Sequence, residues 1–177
     1  MTLPAWHEEP IDKRHNRKGF DCGQSDLNQF LREHARKSHE NSASKTYLAV
    51  ADSDGTTVFG YYTINPASVD YARVPELARH NLGRHDVGCY RLARLAIAKD
   101  LQGKGLGGQL LVAAARRCMR ASEQVGGTAM LIDAKDAKVA AWYAGYGGVP
   151  LNDAPLSLLL PFSLLRDALV KAGRPLA

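Results

Sequence analysis

The first 20 residues mix polar and charged side chains with little period, and no element is expected there. The pattern sharpens at Ser25. Leu27, Phe30, Leu31 and Ala35 recur at helical spacing, so a helix over about 25–38 is expected, with Ser25 as its N-cap. Thr46–Ala51 and Thr57–Ile64 are β-favouring runs separated by the turn residues Asp52 to Gly55, a hairpin signal. Residues 70–88 hold Pro75, Gly83 and several charges, and read as a loop with one helical turn. A strand is expected over 89–98 and a tight loop over 99–104. From Gly105 onward Leu106, Leu110, Ala114 and Cys118 mark one face of a helix that Gly126 and Gly127 end. Thr128–Asp133 is a continuous apolar run, as in a strand buried on both faces. A short helix over 136–144, a last strand over 156–160 and a terminal helix over 162–172 complete the reading.

Strands first and a βαβ unit afterwards define a mixed α/β class. No repeat and no long linker divides the 177 residues, so one domain spanning 1–177 is expected. A chain of this length can bury roughly 70% of its unfolded surface without disulfide or metal staples.

Composition narrows the class further. With 45% hydrophobic and 23% charged residues, neither disorder nor a membrane protein is favoured. The longest apolar run, 155–165, is interrupted by Pro161 and falls short of the ~20 residues of a spanning helix. Cys22, Cys89 and Cys118 are odd in number and form no CxxC, which argues for a reducing compartment. Cys22 and Cys89 read as small buried hydrophobes. A soluble, cytoplasmic protein is expected. The histidines at 7, 15, 34, 39, 80 and 85 show no helical ligand pairing, so they read as surface residues and no metal site is expected.

The net charge is +5. Residues 73–104 hold seven basic residues (Arg73, Arg79, Arg84, Arg91, Arg94, Lys99, Lys104) against three acidic (Glu76, Asp86, Asp100), so +4 of it lies there. Arg116, Arg117 and Arg120 add a second cluster on the polar side of the long helix. A solvated face is the plain alternative; the first cluster favours contacts to RNA phosphates, with Arg84, Arg91, Arg94 and Lys99 as candidates.

The chemistry concentrates in residues 91–111, where a strand enters a glycine-rich loop that opens a helix. Gln102, Gly103, Lys104, Gly105, Leu106, Gly107 and Gly108 leave little side chain over the first turn. Unpaired N–H groups at a helix start, with the dipole behind them, make an anion site, and glycine lets a diphosphate come close. A Walker A run is absent. Gly103-x-Gly105-x-x-Gly108 has the spacing of a dinucleotide fingerprint, but the hairpin-like strands before it argue against that fold.

Gln102-x-x-Gly105-x-Gly107 after the strand LARLAIAKD resembles the acetyl-coenzyme A loop of the GNAT-type N-acetyltransferase superfamily. The amphipathic helix, the next strand and Ala140-Ala-Trp-Tyr143 extend the resemblance over about 45–162. Phe20-Asp-Cys-Gly23, Leu27-Asn28, Phe30-Leu31, Gly60-Tyr-Tyr-Thr63, Arg94-Leu-Ala96, Asp133-Ala-Lys135 and Ala141-Trp-Tyr143 are similar to acetyltransferase toxins of bacterial toxin–antitoxin pairs. The chain departs from that family at Trp142, usually Phe, and at Gly147-Gly148, usually Gly-Phe.

The resemblance implies a GNAT fold with a partly splayed central sheet. It also implies acetylation of the α-amine of aminoacyl-tRNA, a small ribbon-helix-helix antitoxin and a homodimer. The acetyl carbonyl would be held by backbone N–H groups of Leu95, Ala96 and Ile97. Tyr143 is the candidate proton donor to the leaving sulfur, since a phenol of pKa ~10 keeps its proton at neutral pH. An α-amine of pKa about 7.7–8.0 needs no strong base. An acetyltransferase for small amines or protein N-termini, and a non-catalytic acyl-CoA-binding module, are the alternatives. Retention of Tyr143 speaks against the module.

Overall fold

In the computed structural model of the chain, residues 2–79, 82, 84–171 and 173 are described. The fold is mixed α/β, with seven described strands in one sheet of order β1-β2-β3-β4-β5-β7-β6. The strands are β1 (Trp6–Pro10), β2 (Lys45–Ala51), β3 (Val58–Val69), β4 (Val87–Ile97), β5 (Ala129–Asp133), β6 (Val149–Leu151) and β7 (Ala154–Pro161). The helices are α1 (Ser25–Gln29), α2 (Ala35–Glu40), α3 (Leu106–Val125), α4 (Ala137–Ala144) and α5 (Phe162–Lys171). Two compact units share these elements: Met1–Asn65 with Ala93–Ala114, and Pro66–Leu92 with Ala115–Ala177. No helix among the described residues is long and apolar enough to cross a membrane.

In the first unit the expected hairpin forms, with β2 antiparallel to β3 and a register shift at Ala49/Val50. The polar N-terminal stretch supplies an unexpected strand. β1 pairs antiparallel with β2 from Trp6↔Ala51 to Pro10↔Tyr47. Its burial pattern does not alternate, so no period of two marks it in the sequence.

The expected first helix is interrupted. Phe30–His34 is a π-helical stretch between α1 and α2, in which the Ala35 N–H reaches the Phe30 carbonyl. The wider turn lets Phe30, Leu31 and Ala35 all face the core. Ser25 is not the N-cap: Gln24 holds that position, without a side-chain cap bond. Phe20 meets Tyr61 edge-on and Phe30 stacks on it, and Leu31, Leu48, Val50 and Ala96 complete this core.

His15 is buried rather than at the surface. Its Nδ1 accepts the Asp12 N–H at 3.0 Å, and its Nε2 lies 3.3 Å from a Glu9 carboxylate oxygen. These local partners supply the polar contacts that let an imidazole enter the core. His7, His34 and His85 are exposed and His39 is half-buried; His80 lies outside the described residues.

In the second unit β4 and β5 run parallel from Cys89↔Ala129 to Leu92↔Ile132. Ala129–Ile132 are buried, as their apolar run implied. β5 pairs antiparallel with β7, and β6 forms a second hairpin with β7 that the sequence pattern did not mark. Gly126 and Gly127 end α3 at φ +86° and +109°. A Cβ on Gly127 would lie 2.7 Å from the Tyr90 ring. The expected loop over 70–88 holds two 3-10 turns, Tyr71–Arg73 and Glu76–Ala78, and its residues 80, 81 and 83 lie outside the described residues. α5 is described as far as Lys171, so the expected end at Ala172 also lies outside them. All three cysteines are buried, and burial raises their thiol pKa values.

Candidate active site

The first unit carries the anion cradle. After β4 the chain makes a 3-10 turn at Lys99–Leu101 and passes through Gly103 and Gly105, at φ +78° and +90°. Both glycines are dictated by backbone conformation, because nothing lies within 4 Å of a Cβ at either. The first bond of α3 runs from the Gln109 N–H to the Gly105 carbonyl. The N–H groups of Gly105, Leu106, Gly107 and Gly108 therefore have no acceptor within the helix. Leu106 turns its side chain into the core, and the other three have none. Four such donors at the start of a 20-residue helix, beside Lys104, fit a diphosphate.

The edge of β4 is also available. Its Ala98 neighbour donates to the Phe59 carbonyl of β3 at 2.9 Å. By strand alternation the Ala96 N–H faces β3 as well, while those of Leu95 and Ile97 point to the opposite edge. Pairing with β5 ends at Leu92, so this edge carries no ladder beyond that point. A Cβ on Gly60 in β3 would stand 2.9 Å from the Ala96 carbonyl, so glycine there permits the close approach of the two strands.

Gln102 serves the loop through its side chain. Its amide donates to the Cys22 and Ile97 carbonyls, both at 2.9 Å, and ties the loop to the end of β4. The Phe20–Gly23 segment grips the same loop a second time. The Lys99 N–H donates to the Asp21 carbonyl, and the Lys99 ammonium pairs with the Asp21 carboxylate at 2.8 Å. Lys99, Gly23 and Asn28 together hold the Asp21 carboxyl down at about 2. This bracing was not read from the sequence. Its one signal was the match of Phe20–Gly23 to the resembled toxins.

The basic candidates differ in how far they are committed. Lys99 is paired with Asp21, and Arg91 with Asp133, which also accepts from Ser157. Arg94 is half-buried with its guanidinium 3.6 Å above the Phe30 ring, and among the described residues it meets no carboxylate. Arg84 is exposed.

The second unit carries Tyr143, on the inner face of α4 and only 6% exposed. Asp136 caps this helix by accepting the Val139 N–H at 2.9 Å. The Tyr143 hydroxyl has no hydrogen-bonding partner among the described residues, and burial alone pushes its pKa up to about 12. Such a phenol keeps its proton near neutral pH and can act as a proton donor but not as a base. Gly147 takes φ +99°, and Gly148 donates to the Tyr143 carbonyl. A Cβ on Gly148 would come within 3.0 Å of that carbonyl and of Leu158, so the departure from Gly-Phe matches the space present. Trp142 is 39% exposed and meets the Tyr143 ring edge-on. Among the described residues, no group of His, Cys, Asp and Glu could hold a metal ion.

A glycine-lined helix start, entered from a strand whose pairing with β5 ends at Leu92, is an arrangement that binds a diphosphate beside an open strand edge. The chain belongs to the acetyltransferase (GNAT) family, which it matches over residues 6–146. It is 32% identical over 168 residues to a probable toxin TacT of Sinorhizobium fredii, covering 90% of this chain and 92% of that one. It is 31% identical over 154 residues to a tRNA-acetylating toxin of Mycobacterium tuberculosis, covering 87% and 89%. Among solved structures, AtaT complexed with acetyl-methionyl-tRNAfMet matches at a TM-score of 0.83 and 27% identity, over 90% of this chain and 96% of that one. A tyrosine-to-phenylalanine variant of AtaT, bound to the C-terminus of the antitoxin AtaR and to acetyl-CoA, matches at 0.76 and 25%, over 94% and 98%.

Proposed function

We propose that this chain is a toxin that transfers the acetyl group of acetyl-CoA to the α-amino group of aminoacyl-tRNA and so blocks translation. The observation that carries the reading is the row of four N–H groups from Gly105 to Gly108 that have no acceptor within α3, a fit for the cofactor diphosphate. Similarity over about nine-tenths of the chain to a tRNA-acetylating toxin supports the choice of acceptor.

Each residue then has a task. Gln102 holds the loop in shape, and Gly103 and Lys104 complete it. The N–H groups at Leu95 and Ile97 polarise the thioester carbonyl, with Ala96 fixing the strand between them; donors of this kind are worth about 3–4 kcal/mol each. The amine attacks in its neutral form, the new C–N bond replaces the C–S bond, and the amine proton passes to solvent. Tyr143 gives its proton to the departing sulfur and regains one from water. Arg84, Arg91, Arg94 and Lys99 contact RNA phosphates; Arg94 is the best placed, because Arg91 and Lys99 already face carboxylates.

The protein works in the cytoplasm as a single domain, as a homodimer, under control of a ribbon-helix-helix antitoxin. The antitoxin bound by AtaT supports that control. Incubation with labelled acetyl-CoA and bulk tRNA tests the reading. Label is expected on charged tRNA and not on deacylated tRNA. Label on small amines or protein N-termini, with none on charged tRNA, would overturn it.

A further inference from the structure

The outward face of α4 has no part in the chemistry above, yet it is unusual for a solvated helix. Lys138, Ala141, Trp142 and Gly145 follow helical spacing and are all exposed. Trp142 stands edge-on to Tyr143 at 4.9 Å and to Tyr146 at 5.2 Å, so two tyrosines hold the indole in place. Lys138 lies one turn before it on the same face and Lys135 precedes the helix; both are exposed, and among the described residues neither meets a carboxylate. The acids beside them are already engaged: Asp136 caps α4, and Asp133 holds Arg91 and Ser157. An aromatic surface held between two tyrosines, with lysines that form no ion pair, suits a base and its phosphates.

We propose that this face docks the single-stranded 3′ end of the acceptor RNA, one base stacking on Trp142 and the neighbouring phosphates meeting Lys138 and Lys135. Two observations favour RNA over the cofactor. The cofactor diphosphate already has its donors at the start of α3, and Lys138 of α4, with Lys135 in the chain just before it, offers two further cations for a second polyanion. The inference rests on the aminoacyl-tRNA reading and adds to it a surface outside the arginine cluster.

Trp6 and Trp142 are the only tryptophans, so a Trp6→Phe protein reports on Trp142 by fluorescence. An acceptor-stem RNA with an unpaired 3′ end should quench it; the same stem trimmed flush, and acetyl-CoA alone, should not. Trp142→Leu should raise KM for aminoacyl-tRNA on the order of tenfold with kcat nearly kept, and Trp142→Phe should restore most of the loss. Lys138→Gln, which removes no packing, should lessen the salt slope of log KM by about 1. Quenching by acetyl-CoA alone would assign Trp142 to the cofactor and overturn the proposal. A Trp142→Leu protein that dissociates into monomers with unchanged KM would assign the face to a second copy, with the same consequence. If the wild-type protein labels no tRNA, the proposed function itself fails. If it labels tRNA while the variants keep KM and salt slope, only the α4 surface fails.

Discussion

Gly60 lies far from the glycine loop in sequence, yet the site depends on it. In a Gly60→Ala protein the new Cβ stands 2.9 Å from the Ala96 carbonyl oxygen, 2.9 Å from Ile97 Cδ1 and 3.0 Å from Leu110 Cδ1. The two methyl groups can rotate aside, but the carbonyl is backbone and moves only if β4 moves. Overpacking of this kind costs about 1–3 kcal/mol. For a chain of this size each kcal/mol lowers Tm by about 2–4 °C, so a fall of about 2–12 °C is expected. The displaced segment includes Leu95 and Ile97, whose N–H groups are assigned to the thioester carbonyl. An enzyme loses about a hundredfold in rate for a 1 Å misplacement, so a shift of a few tenths of an ångström should lower kcat severalfold or more. Thermal unfolding and steady-state acetylation at saturating acetyl-CoA measure the two effects separately. Unchanged Tm together with wild-type kcat would mean that the strands absorb the methyl without moving the site, and that Gly60 is not required there.

Gln102→Leu removes two hydrogen bonds to carbonyls near the surface, worth about 1–2 kcal/mol together, and should raise KM for acetyl-CoA more than it lowers kcat. Acetyl-CoA titration of the variant checks this. Burial lowers the pKa of His15 below its usual value, so as pH falls the unfolded chain takes up that proton before the folded one does. His15 therefore adds stability in full above about pH 6.5, and this is lost as pH falls through its lower folded value. Urea unfolding at pH 7 and pH 5 should show the loss, and His15→Gln should flatten it. Arg94→Glu should raise KM for aminoacyl-tRNA several times more than Lys99→Glu, while KM for acetyl-CoA stays unchanged in the Arg94 variant.

The parts of the fold legible in the sequence are those with a strong local signal. The β2–β3 hairpin announced itself by its turn, and the β4–loop–α3–β5 run by its glycines and its four-residue period. β1 and β6 were not legible. A five-residue strand of tryptophan, histidine, glutamates and proline has no apolar face, and it becomes a strand because β2 offers it a ladder. A three-residue strand carries too little pattern to detect. The π-helical stretch was hidden because Phe30, Leu31 and Ala35 also satisfy an ordinary helix. The turn through Gly103 and Gly105 and the short helix that carries Tyr143 could be read from the residues. The commitment of Arg91 and Lys99 to Asp133 and Asp21 could not, because those pairs are 42 and 78 residues apart and only the fold brings them together. The burial of His15 likewise depends on Glu9, which β1 positions.

The proposed reaction is acetyl transfer to the amine of aminoacyl-tRNA with Tyr143 as proton donor. The most direct measurement follows charged tRNA after incubation with acetyl-CoA and either the wild-type or the Tyr143→Phe protein. The RNA-linked amino acid is then released and its mass determined. Because the hydroxyl has no hydrogen-bonding partner among the described residues, its removal should leave Tm nearly unchanged and acetyl-CoA binding intact. The wild-type protein should yield the N-acetylated amino acid, and the variant should lose about 10²–10⁴-fold in rate. Unmodified amino acid from the wild-type reaction, or a Tyr143→Phe protein as fast as wild type, would contradict the account.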